Sequence, residues 1–104
     1  NDYVKQKEKV ISAEYVQEIV AKYFNIKKED IVSNRKSNDI AYPRQIAMYR
    51  LKTLTGLTNQ KIGEYLGRTN HSTVIHGYNK IVSDMEKDPD LKNAINEISQ
   101  NIKK

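Results

Sequence analysis

The sequence predicts an all-α fold: a compact multi-helix domain containing a helix-turn-helix with a lengthened, Trp-repressor-like turn. Three observations predict it. Apolar residues recur at helical spacing along the chain, no stretch alternates polar and apolar as a half-buried strand does, and Thr58 to Lys80 sets two amphipathic segments about a glycine turn. A chain of 104 residues has room for one domain and one modest core, not for a catalytic domain beside a recognition domain.

Each element follows from caps and stripes. Ser12 suits an N-cap with Ile11 stapled to Val16, and Val16, Ile19, Val20 and Tyr23 form the apolar stripe of a helix from about Ala13 to Phe24. A short helical turn, Lys28 to Val32, offers Ile31 and Val32 to the core. Ser33 to Asp39 contains no apolar residue and is expected as an exposed loop carrying the adjacent cations Arg35 and Lys36. Pro43 suits the first turn of the next helix, where its missing N–H costs nothing; Ile46, Ala47, Leu51 and Leu54 bury one face up to Thr55, and Gly56 ends it.

Thr58 caps a short helix containing Ile62, Gly63, Tyr65 and Leu66, with Gly63 allowing close helix approach and Gly67 placed for a left-handed C-terminal cap. Three residues later, Thr69 or Asn70 caps a long helix whose Val74, Tyr78, Ile81 and Met85 lie on one side. Val74 comes seven residues after Gly67, one more than in phage-repressor spacing, hence the longer turn. Asp88 and Pro89 stop that helix and start a last one with the stripe Leu91, Ile95, Ile98 and Ile102. The expected organisation is a weak linker helix over residues 1–10, joined to something upstream, and a helix-turn-helix domain over residues 11–104.

Composition narrows the function. There is no cysteine, which excludes disulfides and thiolate metal sites, and no apolar run long enough to span a membrane; a soluble, cytoplasmic protein is expected. The charge of +5 is concentrated: Arg35 to Lys80 holds eight cations against Asp39 and Glu64, a net +6. A basic centre between balanced ends suits one face turned toward a polyanion, although a solvated charged surface gives the same count.

The residues left at the exposed start of the long helix are Asn70, His71 and Ser72, with Thr73, His76 and Lys80 flanking the same side. They are hydrogen-bonding groups at the positive end of a helix dipole, suited to base edges and phosphates in a major groove, while Asn70 also serves as a plain N-cap. His71 and His76 are five apart, not the four that put two imidazoles on one face, which argues against zinc. Ser72 and His76 lack a nucleophile turn and an oxyanion hole, and no phosphate-loop pattern occurs, so no enzyme is expected.

Asn70-His71-Ser72-Thr73-Val74-Ile75-His76 with Lys80-Ile81, Pro43-Arg44-Gln45-Ile46-Ala47-Met48, and the Arg35-Lys36 loop occur in an order that resembles the C-terminal DNA-binding domain (domain IV) of the bacterial chromosomal replication initiator family, DnaA, over roughly Ile11 to Ile98. The resemblance implies base reading by Asn70, His71 and Ser72, and phosphate contacts from Arg44, Gln45, Lys52, Thr73, His76 and Lys80. It further implies that Arg35 or Lys36 enters the minor groove. The implied partner is double-stranded DNA carrying DnaA boxes at the replication origin, bound by a monomer in a nucleoid-associated protein. No cofactor is implied in this domain, ATP belonging to an upstream domain of the full-length family.

Four positions depart from the family pattern: Asn70 stands for Asp, Ser72 for Thr, Lys36 for Arg and Thr69 for Arg. Aspartate only accepts, as from a cytosine amino group, whereas asparagine donates as well and can pair with adenine, so relaxed specificity at that base is expected. Two rivals are weighed beside DNA binding. Acidic phospholipid would use Lys5, Lys7 and Lys9, but Asn1 to Val10 has a thin apolar face. A protein partner would need apolar anchors where polar readers stand.

Overall fold

Helices form where capping side chains and apolar stripes coincide. The computed structural model describes residues 12–33, 36–67 and 71–103, and among these the elements are α1 (Ala13–Tyr23), α2 (Lys28–Ile31), α3 (Asn38–Thr55), α4 (Asn59–Tyr65), α5 (His71–Lys87) and α6 (Pro89–Lys103). No strand occurs among the described residues. The linker expected over residues 1–10, the Ile11 staple, and Arg35, Thr69 and Asn70 lie outside them.

The caps act as their chemistry dictates. Ser12 Oγ accepts from the Tyr15 amide at 3.1 Å, Thr58 Oγ1 from Lys61 at 3.2 Å, and Asp88 Oδ1 from both Asp90 at 3.1 Å and Leu91 at 3.3 Å. Gly56 and Gly67 both take left-handed φ of 72°. Asn25 does so too, at 58°, turning the chain from α1 into α2; asparagine tolerates that region better than most residues.

Helix α3 differs from expectation at its start. It begins at Asn38, five residues before Pro43, with Ser37 in extended N-cap geometry and the Ala41 amide on the Ser37 carbonyl at 2.8 Å. The physical reason is Ile40, only 1% exposed, whose burial draws an extra turn into the core. Pro43 therefore sits inside the helix, where it forfeits one backbone hydrogen bond while its ring is buried.

Leu51, Ile62, Leu66, Val74 and Ile81 are all fully buried in one apolar cluster shared by α3, α4 and α5. Burial of each such side chain contributes roughly 1.5–3 kcal/mol against chain entropy. Gln17, 2% exposed, donates from Nε2 to the Tyr65 carbonyl at 3.1 Å, giving the C-terminal end of α4 a donor from α1. Helix α6 closes over α1: Leu91, Ile95, Ile98 and Ile102 are buried, and Tyr15 and Tyr23 donate to the Asn101 carbonyl and the Glu97 carboxylate at 3.4 and 3.1 Å.

Candidate nucleic-acid interface

Helix α5 buries Val74, Gly77 and Ile81 and leaves His71, Thr73, His76 and Lys80 exposed; Ser72 is half-buried. Thr58 to Lys80 thus contains two packed helices, α4 and α5, with a polar amino-terminal face on the second. Its cap lies outside the described residues.

Gly77 sets how closely this helix lies on α3. A Cβ there would run into Met48 Sδ and stand 3.3 Å from Gln45 Cγ. The close approach brings Gln45 beside α5, and a concavity of about 350 Å³ opens between the helices, lined by Lys36, Arg44, Gln45, Thr73, His76 and Gly77. Five of the residues named from the sequence therefore share one hollow. Lys52, half-buried, does not line it; seven residues after Gln45, it lies two turns along the same face of α3.

Arg44 lines the hollow and also has an inward role. It is 6% exposed, and its guanidinium donates from Nε to the Ile31 carbonyl at 2.6 Å and from Nη2 to the carbonyls of Ser33 at 3.0 Å and Asp30 at 3.3 Å. Ile31 is the last residue of α2 and Ser33 lies two residues beyond it, while the Asp30 carbonyl also accepts from the Ser33 amide at 3.2 Å and the Ser33 hydroxyl at 2.6 Å. A planar fork of donors reaches three carbonyls at once, and in doing so ties α3 to the segment that leads to Lys36.

Arg50, counted in the basic centre, also has a structural place. It lies over the Tyr49 ring at 5.1 Å, donates to Thr53 Oγ1 at 3.2 Å and reaches the Ile95 carbonyl of α6 at 3.5 Å; burial lowers its pKa. Tyr49 in turn stacks on Tyr78 of α5, ring centroids 5.3 Å apart.

Lys80 has a partner. Its Nζ lies 3.5 Å from Asp84 Oδ2 and 5.8 Å above the Tyr42 ring, and Tyr42 donates its hydroxyl to the same Oδ2 at 2.8 Å. Burial, then that hydrogen bond and the nearby Asp84 and Asp88 charges, push the Tyr42 phenol up to about 12. The Tyr42 hydrogen bond, with help from Lys80 and Lys87, holds the Asp84 carboxyl below its ordinary value. Nothing in the sequence spacing pointed to Tyr42 or Gly77, because each acts through a neighbour remote in the chain; Asp84 stands four residues from Lys80, but its anchoring by Tyr42 is equally remote.

Among the described residues no group of His, Cys, Asp and Glu is arranged to hold a metal ion, and no helix is long and apolar enough to cross a membrane. The family model described as the bacterial dnaA protein helix-turn-helix matches residues 13–81. The chain is 46% identical over 102 residues to the chromosomal replication initiator protein DnaA of Caldanaerobacter subterraneus subsp. tengcongensis. That match takes in 98% of this chain and 23% of the relative, so the chain spans about a quarter of the relative's length.

Proposed function

The chain belongs to the bacterial DnaA helix-turn-helix family, and on that premise we propose that it binds duplex DNA sequence-specifically at DnaA boxes of a replication origin, anchoring the initiator for unwinding. The observation that carries the reading is the two-sided character of α5: Val74, Gly77 and Ile81 are buried while His71, Thr73 and His76 are exposed on a polar amino-terminal face. That end of a helix fits a major groove, and the helix dipole favours phosphate.

In this reading His71 and Ser72, with Asn70, meet base edges. Gln45, Thr73, His76 and Lys80 meet phosphates on either side of the concavity between α3 and α5, and Lys52 does so farther along α3. Lys36, at the rim of that concavity, enters the adjacent minor groove together with or in place of Arg35. Arg44 serves by holding the end of α2 and the segment before Lys36. The domain binds as a monomer to one asymmetric site, and no catalytic role or cofactor is assigned to it. Phospholipid binding would rest on residues 1–10, outside the described residues, and no observation favours it.

Selection of randomised duplexes at physiological salt, followed by sequencing, tests the proposal. Enrichment of one asymmetric box supports it, and recovery of unselected sequence removes it.

A further inference from the structure

The Tyr42–Asp84–Lys80 cluster is unexplained by base reading or by helix stability. Lysine four residues before aspartate is the less favourable order for an ion pair on a helix, and Asp84 lies three residues from the negative end of α5. The carboxylate is nonetheless held in place from α3, by the Tyr42 hydroxyl at 2.8 Å. The same oxygen that accepts from Tyr42 faces the Lys80 ammonium, whose side chain is half exposed.

We propose that Asp84, anchored by Tyr42, is an internal stand-in for phosphate that occupies Lys80 in the free domain and must be exchanged for a DNA phosphate on binding. The proposal rests on the DNA-binding reading above and goes beyond it, since it makes Asp84 a residue that sets how strongly any duplex is held. An exposed pair of this kind is weak, so exchange is easy, yet it removes part of what Lys80 offers to DNA of every sequence. Non-specific binding is lowered by the same factor as specific binding. The ratio between them stays with the residues at the helix start.

The test is a fluorescence-anisotropy titration of the full chain against a duplex carrying the family's origin box and against a scrambled duplex, over a series of salt concentrations. Wild type, Asp84→Asn, Lys80→Ala and the double variant are compared. Asp84→Asn keeps an oxygen for the Tyr42 hydroxyl and removes the charge. It is expected to bind both duplexes about two- to fivefold more tightly at low salt, with a salt slope steeper by up to about one unit. In the Lys80→Ala background the gain should vanish.

An unchanged or weaker affinity for folded Asp84→Asn overturns the exchange, as does a gain of equal size without Lys80, which would make Asp84 a distant repulsive charge only. Asp84→Ala, which also gives up the Tyr42 bond, provides the same reading if the asparagine variant does not fold. If wild type shows no preference for the box, the site-specific reading fails while the exchange remains measurable on scrambled duplex. If wild type binds neither duplex, both fall.

Discussion

The guanidinium of Arg44 reaches back thirteen residues to the carbonyl oxygen of Ile31, Nε to O at 2.6 Å, and so fastens the end of α2 to the flank of α3. A residue whose sequence context suggested a contact with DNA is thereby also a strut of the protein.

Replacing Arg44 separates the two roles. Arg44→Ala strips buried carbonyls of a charged donor and is expected to lower unfolding free energy by about 2–3 kcal/mol in a denaturant titration. Arg44→Lys, with one ammonium in place of a fork, should recover only part of that. Unchanged stability together with lost DNA affinity would return Arg44 to the role of a phosphate contact.

Gly67 and Gly56 share a φ of 72° but differ in surroundings: a Cβ on Gly67 would stand 2.8 Å from the Val32 carbonyl, and one on Gly56 would meet nothing within 4 Å. Gly56→Ala should therefore cost only left-handed strain, roughly 1–2 kcal/mol. Gly67→Ala should cost more, by about 1 kcal/mol or above, because backbone must move as well. Thermal melts of the two variants compare them directly, and equal losses would show that the Val32 contact yields freely.

His71→Ala tests base reading. Specific affinity should fall by roughly 1–3 kcal/mol while affinity for random duplex changes little. An equal fall for both would move His71 from bases to phosphates.

Tyr42 gives stability a dependence on alkaline pH. The folded phenol titrates near 12 against an ordinary 10.0, so the fold prefers the neutral form. This contribution is whole below pH 10.0 and is lost as pH rises through about 12. A phenolate absorbance titration should contain a late tyrosine that disappears in Tyr42→Phe, and that variant should lose less stability over the same range. A spectrum without the late component would remove the assigned environment.

What the sequence carried was local. Ser12, Thr58, Gly67 and Asp88 each act on amides or turns within a few residues of themselves, and the α6 stripe needs only its own period, so these were legible from spacing. Pro43 was misplaced because a proline signals a first turn unless a buried residue upstream, here Ile40, extends the helix. The inward bonds of Arg44 and the anchoring of Asp84 by Tyr42 were out of reach for another reason: the partners are backbone carbonyls in and just beyond α2 and a hydroxyl forty-two residues away, and a charge count does not distinguish a cation held inward from one offered outward. Arg50, turned toward α6, inflated the basic centre in the same way.

The bond from the Tyr15 hydroxyl to the Asn101 carbonyl spans 86 positions, nearly the whole described chain. With Tyr23 reaching Glu97 two turns away, it acts as a clasp between the first helix and the last. Fraying of either helix loosens the other, so a protease that clips one end would weaken the opposite end too, and protection from amide exchange in the two helices should be lost together.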